Sequence, residues 1–307
     1  SFFWGVDENM SASGPRFTGD TVEEWREGTS RNIVFRSNLA AEGLADSTHP
    51  KGEHSKGSLI HDNATGIVFE RNVWAHNVER SPLLKGGVEA LMINNLIYDP
   101  QFRAVHYNLM DLEWAGHAPV DGQLTAVGNV MRGGNSTDAG LPFLTIGGVG
   151  DLQYYGRDNV AIDRYGNDLP MFGRYGHTRA QILQLDAPLH DLDGYSIMPS
   201  EDVETVLLAT SGARPWDRSE MEIRVLFYIA EGRGEVIDSE DEVGGYPQFE
   251  ATSAPFVEAD WDLAPMTPRP VTGPGRREGR QGNLSAFLTI LRAPGTKANS
   301  VCRLLLE

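Results

Sequence analysis

Five short apolar-rich segments of this chain close on the same residue type. The segments "NIVFRSN" (32–38), "GIVFERN" (66–72), "ALMINN" (90–95), "LTAVGN" (124–129) and "LQYYGRDN" (152–159) put an asparagine at positions 38, 72, 95, 129 and 159, at intervals of 34, 23, 34 and 30 residues. The shortest interval suits one coil of a parallel β-helix, and the longer ones suit a coil carrying an inserted loop. In a solenoid each coil stacks on the last, so the same turn recurs at the same angular position. Asn fits such a turn on two counts: it tolerates the left-handed backbone of a sharp bend, and its amide bonds to its neighbours along a stack. Asn also marks hairpin turns in antiparallel proteins, but the shared strand-plus-Asn unit favours the solenoid. The expected fold is all-β, a parallel β-helix over residues 1–200.

The pattern changes after residue 200. "PSEDVETVLLATSGARPWDRSEMEIRVLFYIAEGRG" reads as two helices, the first opening at Ser200 or Glu201 and closing at Gly212. The second has Ser219 as N-cap, Met221, Val225, Tyr228 and Ile229 at helical spacing, and Gly232 as its stop. Residues 201–271 are expected to form a helical and extended segment packed on the solenoid. Residues 272–307 match neither pattern and are set apart as a tail of unassigned role. At the other end "SFFWGV" reads as mid-coil sequence with earlier coils missing. An upstream segment, a second copy of the chain or the tail would then have to cover the exposed solenoid end.

With 43 acidic against 26 basic residues the chain carries a net charge of −17, which argues against nucleic acid or an anionic membrane as a whole-surface partner. No apolar run approaches the ~18 residues of a membrane span, and the lone Cys302 excludes an internal disulfide. The acid is unevenly placed: residues 201–262 hold sixteen acidic and four basic side chains, whereas residues 31–108 hold eight of each. Inside that neutral stretch lies "NVERSPLLKGG" (77–87), where Arg80 and Lys85 flank a Ser-Pro-Leu-Leu turn. Turns that only join strands are more often built from Gly, Asn, Asp and Ser, so this one is a candidate anion site. Taken alone, Arg80 would more simply pair with Glu79 or Asp99 on a solvated face. His49, His54 and His76 invite a transition-metal reading, but an H-x4-H spacing with no regular helix is a weak pattern, and no transition metal is expected. Trp74 reads as packing and not as a sugar platform.

The stretches "WGVDENMS", "HPKGEHSKGSLI", "VFERNVWAHNVERSPLLKGG" and "INNLIY", followed by "GARPWDRSEMEIR" and "DSEDEVGGYP", resemble the polysaccharide lyase family 1 pectate lyases, in particular the bacterial branch that includes pectate trisaccharide-lyases. The resemblance covers roughly residues 1–265. It implies a right-handed parallel β-helix, extracellular or periplasmic, whose groove binds polygalacturonate (de-esterified pectin) and cleaves it by calcium-assisted β-elimination. No signal peptide is visible in the chain, which does not open on Met. On this resemblance Arg80 matches the catalytic arginine, Lys56 of "HSKGSLI" falls at a substrate-binding lysine and is counted with Arg80 as catalytic, and Lys85 stands where many members have a second arginine that grips the substrate carboxylate. Lys51, His54 and Arg103 complete the candidate substrate-binding set. Asp7 matches a calcium ligand. Calcium-dependent members often carry a second Asp four residues later, where this chain has Ser11, and Glu42 is the candidate substitute ligand.

Elimination beside a uronate carboxylate requires the charge that builds there to be stabilised, and calcium with Lys56 and Lys85 would supply that field. The base is the harder part, because an arginine in water stays protonated. Arg80 either gives up its proton in the complex or acts electrostatically while another group takes the substrate proton. Two other functions stay open: a non-catalytic β-helix that binds acidic polysaccharide, and a polygalacturonase, whose clustered aspartates are missing around Arg80.

Overall fold

The computed structural model describes residues 1–248, 258–262 and 267–268. Successive strands go to successive sheets, giving three parallel sheets of six strands each. The first sheet holds Phe2–Phe3, Leu39–Ala41, Val73–Ala75, Leu96–Tyr98, Val130–Arg132 and Val160–Ile162. The second holds Glu8–Ala12, Lys56–Ile60, Leu83–Lys85, Val105–Leu109, Leu144–Gly148 and Phe172–Arg174. The third holds Arg31–Arg36, Thr65–Glu70, Glu89–Ile93, Gly122–Val127, Leu152–Arg157 and Ile182–Gln184. This is a parallel β-helix, as the recurring Asn predicts.

In-register stacking lines up like side chains in columns. Ile60, Leu84, Tyr107 and Ile146 are partners down the second sheet. Phe35, Phe69, Met92 and Ala126 are partners down the third, and Ala40, Trp74, Ile97, Met131 and Ala161 down the first. These columns meet in one buried cluster along the solenoid axis. Trp74 is fully buried there and its indole donates to Ser58 Oγ at 2.8 Å, so it is packing.

The five asparagines form a continuous hydrogen-bonded ladder. Each Oδ1 accepts both the backbone amide and the side-chain amide of the Asn one coil earlier, at 2.8–3.0 Å from Asn38 through Asn159. The Nδ2 groups of Asn72, Asn95, Asn129 and Asn159 also donate to carbonyls of the previous coil, at Phe35, Phe69, Met92 and Ala126. One expectation is corrected. The left-handed residue of each bend is not the ladder Asn but the one before it: Ser37, Arg71, Asn94, Gly128 and Asp158 have φ of 51° to 65°. The ladder Asn is chosen for its two-donor, two-acceptor side chain, and the strained backbone falls on its neighbour.

Among the described residues three α-helices accompany the coils: α1 (Val22–Glu27), α2 (Ser200–Thr210) and α3 (Glu220–Glu231). Thr21 and Glu24 form a capping box on α1, whose Trp25 closes the first coil against Phe17 and Trp114. Ser219 and Glu222 do the same for α3, which ends on left-handed Gly232. The outward face of the first sheet is apolar, with Leu39, Val73, Leu96 and Val130, and it is covered by Val203 and Leu207 of α2 and Val225, Leu226 and Ile229 of α3. The strands of the first coil form one edge of every sheet. The tail at 272–307 lies outside the described residues. Among the described residues no helix is long and apolar enough to cross a membrane.

Asn95 sits in mid-ladder with no solvent exposure. Asn95→Ala strips partners from the Asn72 amides, the Phe69 carbonyl and Asn129 Oδ1, and is expected to destabilise the fold by about 3 kcal/mol or more, since each buried orphan costs ~1–3 kcal/mol. Asn159→Ala, at the half-buried end, should cost clearly less. Urea unfolding of both variants checks this, and equal losses would contradict a ladder whose strength depends on burial.

Candidate active site

The site grows from the second sheet and the segment that runs beside its second strand. The amides of Gly57 and Ser58 donate to the carbonyls of Glu79 and Arg80, at 2.9 and 2.5 Å. Glycine at 57 permits this close approach, because a Cβ there would lie 2.4 Å from the Arg80 carbonyl oxygen. Arg80 itself has φ of 66°, a region that residues with side chains seldom adopt, so its backbone is held against local preference by the neighbouring strand.

Around Glu79 the structure gathers three of the expected cations. Lys56 Nζ lies 2.8 Å from Glu79 Oε1, Arg103 pairs with Oε2, and Arg80 Nε stands 3.7 Å from Oε1. Arg80 also pairs with Glu8, and its Nη1 is 4.0 Å from Asp7 Oδ1. The Arg103 guanidinium is sandwiched by Phe102 at 4.8 Å and Tyr175 at 4.5 Å from the ring centres. Tyr175 hydrogen-bonds His106, which faces outward because its neighbour Tyr107 points into the core. Lys85 stands outward beside Leu84 and pairs at 2.6 Å with Glu113, which also holds Arg16.

Burial sets the electrostatics. Burial would raise the Glu79 carboxyl, but His106, Lys56 and Arg103 outweigh it and hold Glu79 below the ordinary carboxylate range. Burial also pushes His106 down to about 3, so its ring is uncharged at neutral pH and Lys56 and Arg103 carry the effect on Glu79. The Arg80 side chain is only 19% exposed. Burial, aided by Arg103, draws its guanidinium below the ordinary value, against the opposing pull of Asp7, Tyr175 and Glu113. Arg80 Nε is sealed from solvent and donates no hydrogen bond.

The expected metal ligands separate. Glu42 is buried, pairs through both oxygens with Arg224 of α3 and accepts the Trp4 indole, so it is committed to the fold and is not a ligand beside Asp7. Ser11 is exposed. The groups that do meet Asp7 are two histidines: His54 Nε2 lies 3.0 Å from Oδ1 and His49 Nε2 lies 3.4 Å from Oδ2. His76 goes elsewhere, to buried Asp99 at 2.9 Å. Lys51 is exposed in the same loop as His49. Calcium takes six to eight oxygen ligands. With Glu8 held by Arg80 and two imidazoles against Asp7, the described residues do not make a calcium cage.

Several site residues escaped sequence reasoning. Glu79 was considered only as a partner for Arg80, although it is the common acceptor of three cations. Glu8, His106, Glu113 and Tyr175 come from other coils, and only the stacking register brings them in. Glu8 faces Lys56 across the second sheet, a pairing that the sequence spacing does not announce. No family model matches this chain, and no curated protein matches it. Among solved structures, one similar chain is described as the thermostable pectate lyase PL 47, with a TM-score of 0.39 and 12% sequence identity over 69% of this chain and 53% of that one. This chain thus spans about half the length of that structure's chain.

His106 yields a pH prediction. Its native value is about 3, whereas an unfolded histidine titrates near ~6.5. Between those limits the unfolded chain binds a proton that the native chain does not. Stability therefore falls as pH falls across this window, by about 1.4 kcal/mol per pH unit for this one group, and the group adds nothing above it. His106→Gln should make the dependence of unfolding free energy on pH shallower between about pH 4 and 6 by that amount, whatever its absolute stability. Parallel slopes in urea titrations of the two proteins would show that His106 is not the buried neutral group described.

Proposed function

We propose that this protein is a polysaccharide lyase that cleaves polygalacturonate by β-elimination, of the family 1, pectate trisaccharide-lyase-like kind that its motifs resemble. The observation that carries the reading is Arg80: a largely buried guanidinium, lowered from its ordinary value, with a sealed Nε that donates no hydrogen bond, set beside Lys56 and Arg103 on the outward side of a parallel β-helix. An uronate carboxylate would compete with Glu8 and Glu79 for these cations. Lys56 and Lys85 would hold it and stabilise the charge that builds as the adjacent C–H bond breaks. Arg80 either gives up its own proton in the complex and takes this one, or stays charged and stabilises the carboxylate while another group takes it. A double bond forms in the ring as the glycosidic C–O bond breaks, and the leaving oxygen is protonated. Tyr175, whose phenol burial keeps in its protonated form, stands in the same cluster as a donor.

Calcium belongs to this proposal through the resemblance alone. The same reading proposes pectin as the natural partner and an extracellular or periplasmic setting. It also proposes self-association through the first coil, whose exposed Phe2, Val6 and Val34 leave an edge that a second copy can cover.

The test is the absorbance of unsaturated uronides released from polygalacturonate, measured with calcium and with chelator. Arg80→Lys and Arg80→Ala should each lower turnover by about a hundredfold or more, while Lys56→Ala and Lys85→Ala should lower both kcat and apparent substrate affinity. Arg80→Ala also leaves Glu8 without its partner, so its melting is recorded alongside. Wild-type turnover in either Arg80 variant removes the catalytic role. Binding of polygalacturonate by the unaltered protein with no rise in absorbance would make it a binding module instead.

A further inference from the structure

We propose that Asp7, His49 and His54 form a binding site for a first-row divalent transition cation of the zinc type, with two imidazole nitrogens and one carboxylate oxygen as protein ligands. The three ligand atoms lie within 4.8 Å of one another. Zinc bonds of about 2.0–2.1 Å place tetrahedral ligand atoms about 3.3 Å apart; His54 Nε2 stands 3.0 Å from Asp7 Oδ1 and His49 Nε2 stands 3.4 Å from the other oxygen, Oδ2. The imidazoles are stacked, with centres 3.9 Å apart and planes at 9°, and each turns its Nε2 to a different oxygen of the one carboxylate. Asp7 Oδ1 is sealed from solvent and accepts no hydrogen bond. A sealed carboxylate oxygen that accepts no hydrogen bond, set against two ring nitrogens, is poorly satisfied without a cation between them.

The loop that carries the histidines is anchored at both ends of the approach. The His54 amide donates to the Ala45 carbonyl and the Ala45 amide donates to the Ile237 carbonyl, each at 2.8 Å. The Lys51 amide donates to His49 Nδ1 at 3.2 Å and orients that ring. Metal ligation through Nε2 moves the His49 proton to Nδ1, so this one exposed hydrogen bond is given up on loading. Imidazole ligands select zinc-like ions over calcium, which takes oxygen. Three protein ligands leave at least one coordination position for water or an anionic oxygen, and Arg80 Nη1 lies 4.0 Å from the ligating carboxylate. The ion would therefore border the cationic cluster described above. The inference concerns binding only and stands whether or not the protein is a lyase.

The full chain, free of any histidine tag and stripped with chelator, is titrated with zinc by calorimetry and with cobalt(II) by visible absorption. One saturable zinc per chain is expected, with ligand-field bands from the cobalt form and no competing heat from calcium at the same concentrations. His49→Gln and His54→Gln should each weaken zinc binding by at least about tenfold, and the Lys51 amide resonance should shift on loading. His49 lies in the loop and its substitution leaves the core untouched, so that variant reports on ligation even if His54→Gln melts early. Absence of saturable zinc binding in the unaltered chain overturns the site. So does zinc affinity that survives His49→Gln, or calcium that displaces zinc at equal concentration.

Discussion

The hydrogen bond from each ladder asparagine to the next sets the register on which everything else depends. In a parallel solenoid a slip of one residue in any coil would turn core side chains outward, and the coils here differ in length by up to eleven residues, between Asn72–Asn95 and its neighbours. Loop insertions are harmless only because every coil returns to the same bonded position. Asn achieves this because one side chain donates twice and accepts twice in the interior, where an unmade bond is expensive. The apolar columns then follow from the register and need no specific interaction of their own.

The same register explains why a strongly acidic chain can hold a cationic cluster. Lys56, Arg80 and Arg103 come from different coils and converge on Glu79. Buried charges persist only when paired and hydrogen-bonded, and Glu79 answers three of them at once, with Glu8 and Glu113 serving the flanks. Each cation is thus held in place by protein carboxylates and partly stripped of water.

What could be read from the sequence, and what could not, divides along the same line. The solenoid was legible because identical residues recur at one angular position. The bend residues were misassigned because Ser37, Arg71, Asn94, Gly128 and Asp158 share a backbone conformation and no chemistry. Local motifs singled out Arg80 and Lys56, which meet at Glu79, and the capping of α3 by Ser219 was legible from its cap signature. Glu42 was misread as a ligand because its partner, Arg224, lies 182 residues away. The nearness of His49 and His54 was not legible, because a loop that folds back on Asp7 stacks the two rings without any helix.

That misreading shows how the segment after the solenoid supports its opposite end. Glu42 closes the first turn after Leu39–Ala41, and its carboxylate is gripped from α3 by Arg224 and from the first coil by the Trp4 indole. A carboxylate so buried is held in place only while both partners are, since removing one leaves an uncompensated charge. Ile237, beyond α3, receives the Ala45 amide at the start of the histidine loop and packs with Trp4 and Leu44. The helices that cover the first sheet therefore also fix the coil that carries Asp7 and the loop that carries His49 and His54. Covering an apolar face and positioning a polar site are, in this molecule, two effects of one docking surface.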